Sequence, residues 1–97
     1  MSRIEKRIQR WKNHQFKQDV PVDDLFSVLE YYFPGSYKYG ETRGSHIIKV
    51  WHECLKGIQG FGPEGDFTIP TKGGKKVKHF YLKDLVRAID IIKECVQ

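Results

Sequence analysis

Apolar residues recur along this chain first at helical spacing, then at every second position, then at helical spacing again. In residues 3 to 16, Ile4, Ile8 and Trp11 follow a helical period and leave basic side chains on the other faces. This predicts an amphipathic N-terminal arm that docks on the rest of the domain or a second subunit, or contacts RNA or a partner directly. A stronger helix opens at Pro21. Val22, Leu25, Phe26, Leu29 and Tyr32 or Phe33 form its stripe. Asp23 and Asp24 stand in its first turn, where the helix dipole favours negative charge, and Pro34-Gly35 ends it.

The period then shortens. Residues 36 to 42 alternate Tyr37 and Tyr39 with polar neighbours, and residues 45 to 51 carry Ile47, Ile48 and Val50, with Arg43-Gly44 as the turn between two strands. Residues 52 to 65 form a longer connection, rich in glycine at its far end. Phe67-Thr68-Ile69 reads as a short strand stopped by Pro70. Thr71 to Lys78 is a Gly-Gly and lysine-rich loop. The last helix keeps Leu82, Leu85, Val86, Ile89, Ile92 and Val96 on one face and charged residues on the others. The expected fold class is α+β: a two-layer sandwich of order α-β-β-β-α. A three-stranded antiparallel sheet carries both main helices on one face, and a helical arm precedes it. The arm spans residues 1–18 and the domain residues 19–97.

At 97 residues, 39% hydrophobic and 30% charged, the chain has the balance of one globular domain with a modest core. No apolar run is long enough to cross a bilayer, and no signal-peptide pattern follows the basic N-terminus, so no membrane partner and a cytoplasmic location are expected. Cys54 and Cys95 lack CxxC or zinc-site spacing and are expected to be reduced in that compartment. The net charge of +5 biases the protein toward anions, RNA among them. Its distribution sharpens the point. No acid falls between Asp66 and Asp84, where Lys72, Lys75, Lys76, Lys78 and Lys83 gather. The arm holds Arg3, Lys6, Arg7, Arg10, Lys12 and Lys17 against Glu5.

Of the four histidines, His14, His52 and His79 read as structural or solvated. His46 differs in its surroundings, because it follows Arg43-Gly44-Ser45 at the mouth of a strand. Glycine lets a ligand backbone approach closely. Arginine offers a planar fork for phosphate. Histidine trades protons near neutral pH. These are the parts needed to cleave a phosphodiester through its own 2′-hydroxyl, although a tight hairpin with a histidine at the strand start would look the same.

The chain resembles the HicA-like toxin family, which is similar in layout to double-stranded-RNA-binding domains. The resemblance rests on Gly44-Ser45-His46-Ile47-Ile48, then Phe67-Thr68-Ile69-Pro70, then Gly73-Gly74-Lys75 and the helix from about His79, and it covers roughly residues 20 to 95. It implies a double-stranded-RNA-binding-like fold and the toxin of a type II toxin-antitoxin system. That toxin would cleave or block mRNA, with a HicB-like antitoxin as protein partner covering its active site; the enzyme expected here is a metal-independent endoribonuclease. The catalytic histidine of the family corresponds to His46, and its supporting motif to Gly44 and Ser45. Two departures stand out. Lys72 occupies the position, two residues after the third-strand proline, where many members carry a histidine, and the arm and the long connection are additional to the compact pattern.

In that reading His46 is general base on the 2′-hydroxyl or general acid on the leaving 5′-oxygen. Lys72, Lys75, Tyr37 and water are candidates for the other role. Arg43, Lys49, Lys72, Lys75, Lys76 and Lys78 would bind RNA phosphates and stabilise developing charge; as a charge run, the loop lysines could equally be solvated. Tyr37 and Tyr39 either stack on unpaired bases or fill a half-buried strand. No cofactor and no metal are expected, since Glu41, Glu53, Glu64 and Asp66 show no paired-carboxylate spacing. The competing classes are a non-catalytic RNA-binding module and a protein-interaction partner engaged through the arm and the last helix. The oligomeric state is left open.

Overall fold

The computed structural model describes residues 2–42 and 45–95, with the side chains of Glu41, Thr42 and Ser45 outside that description. It is the expected α+β arrangement, with three α-helices and a three-stranded antiparallel sheet.

The arm forms helix α1, Arg3–Lys12. Ser2 caps it: its hydroxyl accepts the Glu5 amide proton at 3.1 Å, while the Glu5 carboxylate accepts the Ser2 amide proton at 3.2 Å. The Ser2 amide, aided by the Ser2 hydroxyl, holds the Glu5 carboxyl below the usual carboxylate range. The helix stops four residues short of the expected end at residue 16, because Asn13 turns extended and its side chain accepts the Gln15 amide proton at 2.9 Å. Ile8 and Trp11 are buried in the main core, so the arm is docked on its own domain. Lys12 meets Asp90 at 2.8 Å and Arg7 meets Asp24 at 3.7 Å. The Lys12–Asp90 pair is exposed, and such pairs contribute roughly 0–1 kcal/mol. Full burial of an isoleucine contributes about 1.5–3 kcal/mol, so the apolar stripe carries the docking.

Strand β1, Val20–Pro21, leads into α2, Val22–Tyr32, which buries Leu25, Val28 and Leu29. Strands β2 (Tyr37–Thr42), β3 (Ser45–Trp51) and β4 (Asp66–Pro70) follow in spatial order β2-β3-β4. Tyr39 lies opposite Ile48, which lies opposite Ile69, while Tyr37, Val50 and Phe67 form the next row. Directly opposed residues share a face. That face packs on α2 and on α3, Leu82–Cys95, in one continuous core. The other face presents Lys38, Lys49 and Thr68 to solvent.

Three features go beyond the expected pattern. First, strand β5, Lys76–Val77, pairs with β1, and the Val22 amide donates to the Lys75 carbonyl at 2.9 Å. This ribbon ties the lysine-rich loop to the start of α2. Second, the long connection holds a 3-10 turn, Glu53–Leu55, capped by His52, whose Nδ1 accepts the Cys54 amide proton. Gly65 closes beside it at φ +72°, where a Cβ would collide with the His52 carbonyl. Third, Cys54 and Cys95 form a disulfide with a Cα–Cα distance of 6.1 Å, which corrects the expectation of two reduced thiols. The reason is local. Leu55 is fully buried, so the 3-10 turn docks on α3 and seats Cys54 beside the last turn of that helix.

Candidate functional site

His46 sits near the start of the central strand β3, in phase with the buried Ile48 and Val50. It therefore points to the helix-bearing face, at the end of the sheet where the core runs out, and it is half-buried. Its ring lies nearly parallel to that of Tyr39, with centroids 5.8 Å apart and planes 16° apart. The register explains the contact, since Tyr39 opposes Ile48 and is thus diagonal to His46 on the same face.

The lysine-rich loop closes the third side. Thr71 donates to the His46 carbonyl twice, from its amide at 3.0 Å and its hydroxyl at 2.8 Å. The same hydroxyl accepts the Gly74 amide proton at 3.2 Å. Gly74 is thereby pressed onto the histidine: a Cβ on it would lie 3.4 Å from His46 Cγ and would overlap the Tyr39 hydroxyl. Its φ of +72° also favours glycine. The imidazole Nδ1 is buried and has no hydrogen-bond partner among the described residues. A buried donor or acceptor left in this way is uncommon in native proteins and calls for a reason.

The remaining candidates are distributed unevenly. Lys72 and Lys75 are exposed on the loop, and Lys72 lies 3.9 Å from Asp19. Lys76 is exposed on β5, and the Lys78 ammonium lies over the Phe80 ring at 5.8 Å. Lys72 and Lys78, with Pro70, Thr71 and Tyr81, line a small cavity of about 110 Å³ that shares Thr71 with the His46 site. Lys49 is exposed on the opposite face of the sheet, opposite Lys38, and is not brought to His46. Arg43 and Gly44 lie outside the described residues, and Ser45 contributes its strand backbone opposite Thr42.

Tyr37 is engaged elsewhere. Its hydroxyl donates to Glu30 at 2.7 Å, and that bond raises its pKa above the ordinary tyrosine value. The sequence reading passed over Tyr39 as a neighbour of His46 and Thr71 as its anchor. Period two places Tyr39 on the right face, but only the strand register sets it beside His46.

The arrangement puts one imidazole against an aromatic face, beneath a loop that exposes lysines. Such a site has the means to hold a phosphate and move a proton next to it. Comparison of the chain with protein-family models, curated proteins and solved structures finds no match. Among the described residues, no helix is long and apolar enough to cross a membrane.

Proposed function

We propose that this protein is an RNA-directed endoribonuclease of the HicA-like kind, the toxin of a toxin-antitoxin pair, with His46 as its catalytic residue. One observation carries the reading. Two of the segments on which the sequence resemblance rests, the strand of His46 and the loop of Gly73-Gly74-Lys75, meet in space, with the Cβ position of Gly74 facing the imidazole and the Tyr39 hydroxyl. A histidine merely closing a hairpin has no need of a second, glycine-dependent loop held over it by Thr71.

In the proposed reaction the RNA 2′-hydroxyl attacks the adjacent phosphorus, the bond to the 5′-oxygen breaks, and a 2′,3′-cyclic phosphate remains. His46 takes the proton of the attacking hydroxyl or supplies one to the leaving oxygen. Lys72 and Lys75 hold the phosphate and offset its developing charge. The complementary proton role falls to Lys72, Lys75, water or Tyr39. Tyr37 drops out, because its hydroxyl is committed to Glu30. A HicB-like antitoxin would cover this end of the sheet, and the setting would be cytoplasmic, where the Cys54–Cys95 bond would have to persist against reducing conditions.

The test is cleavage of a labelled RNA by purified wild-type and His46→Ala protein. The expected result is cyclic phosphate ends from the wild type, a loss of at least a hundredfold in rate for the variant, and no action on the matching DNA. Wild-type cleavage by His46→Ala, or salt-dependent binding with no cleavage by either protein, would replace this reading with a binding module.

A further inference from the structure

A second hollow lies away from His46. It is a groove of about 600 Å³ between the end of α1 and the outer side of α3. Trp11 and Phe16 from the arm and Val86 and Ile91 from α3 supply its apolar lining. Its charged lining is one-sided. Asp90 is the one acid among the described lining residues, and it is already paired with Lys12 at 2.8 Å. Lys17 and Lys83 are exposed on the two walls and have no ion pair among the described residues. Arg87 adds a third cation, its guanidinium resting over the Phe61 ring. Next in sequence to the lining residue His79 and edge-on to its ring, Phe80 is 46% exposed. An exposed aromatic beside an apolar groove is the usual form of a docking anchor.

We infer that this groove docks an acidic segment of a protein partner, one that places a large apolar side chain between Trp11, Phe16 and Val86 and carboxylates against Lys17, Lys83 and Arg87. The apolar lining needs an apolar guest, and the unpaired cations on both walls need anionic flanks; a peptide with both meets each demand. A nucleic-acid strand meets only the second. Bases bind such surfaces by stacking on open aromatic faces, and within the groove Trp11 is only 7% exposed and Phe16 half-buried, while the exposed Phe80 is not part of its lining. The span from Lys83 to Ile91 is eight residues of helix, about 12 Å at the α-helical rise. That length suits about four residues of extended chain. The inference stands apart from the ribonuclease reading, since none of these residues touches His46, and either one can fail without the other.

The experiment is selection from a display library of random linear peptides on the full-length protein, with counter-selection on Lys17→Glu/Lys83→Glu. Binding of the enriched peptide is then followed in a Trp51→Phe background, where Trp11 is the remaining tryptophan. The expected result is enrichment of Asp and Glu around a Leu, Ile, Phe or Trp, and a shift of Trp11 emission on binding. Affinity should fall at least tenfold in Lys17→Glu/Lys83→Glu and in Phe80→Ala, and at least tenfold when the peptide's apolar residue becomes alanine. Circular dichroism matching the wild type guards against a folding defect in either variant. Peptides whose binding ignores these substitutions, or no enrichment at all, would overturn the inference. So would a uridine-rich single-stranded RNA that shifts Trp11 emission and competes with the enriched peptide, which would make the groove a nucleic-acid site.

Discussion

At the scale of single residues, the site turns on Gly74. Its positive φ and a Cβ position that meets the Tyr39 hydroxyl beside the His46 ring make it a position where one added carbon changes the geometry of the candidate site. In Gly74→Ala the methyl group would have to displace the Tyr39 hydroxyl or lift the loop, while alanine at that φ is strained as well. The stability cost is expected to be about 1–2 kcal/mol, read from urea denaturation. The loss of RNA cleavage should exceed what the unfolded fraction explains, at least tenfold at a temperature where the variant is fully folded. Gly73→Ala is the control. Its φ is also positive, but the space around its Cβ position is open, so it should show a comparable stability cost with cleavage largely retained. Equal activity losses in the two variants would mean that backbone strain, and not the packing on His46, decides activity.

At the scale of elements, the first turn of the arm helix is capped by a device that responds to acid. The Glu5 carboxylate accepts from the Ser2 amide, and its pKa is held below the ordinary 4.5 by the bonds to Ser2. A carboxyl whose folded pKa is depressed contributes stability that is present above the ordinary value and lost as pH falls through the lowered one. The start of α1 should therefore loosen below pH 4.5. Amide hydrogen exchange in the first turn should quicken there, while residues of β3 stay protected. Glu5→Gln keeps an acceptor for the Ser2 amide but cannot titrate, so its first turn should show no such acid step. An acid step of equal size in Glu5→Gln would assign the loosening to another group.

The elements also show what could be read from the chain and what could not. The three-stranded sheet, the two main helices and the arm are legible because each leaves a periodic apolar pattern. The β1–β5 ribbon is two residues long on each side and leaves none. His46 is legible as chemistry, but its neighbours are set by strand register and loop closure, which no local pattern encodes. Lys49 is an instructive case. Alternation alone puts it on the face opposite His46, since the two are an odd number of residues apart on one strand, and the structure agrees.

At the scale of the whole molecule, the covalent bond between Cys54 and Cys95 joins the middle of the chain to its last helix across a separation of 41 residues. Spacing could not reveal this, because the pair becomes adjacent only after Leu55 is buried against α3. A chain of this size has a small core and little stability in reserve. On the chain-entropy account, closing a loop of about 40 residues restricts the unfolded ensemble by about 4 kcal/mol. Native strain and residual structure usually reduce that figure, so reduction is expected to lower the free energy of unfolding by about 2–4 kcal/mol. Urea denaturation with and without dithiothreitol would measure it, with Cys54→Ser/Cys95→Ser as the chemically irreversible counterpart. The double variant should match the reduced wild type and should not respond to dithiothreitol. Because the bond lies apart from His46, Gly74 and the groove residues Lys17 and Lys83, the reduced protein that remains folded should keep both activities. A fall in RNA cleavage on reduction at constant folded fraction would instead make the disulfide a positioning element of the site. Unchanged stability would show that docking of the 3-10 turn, and not the covalent bond, holds the connection to α3.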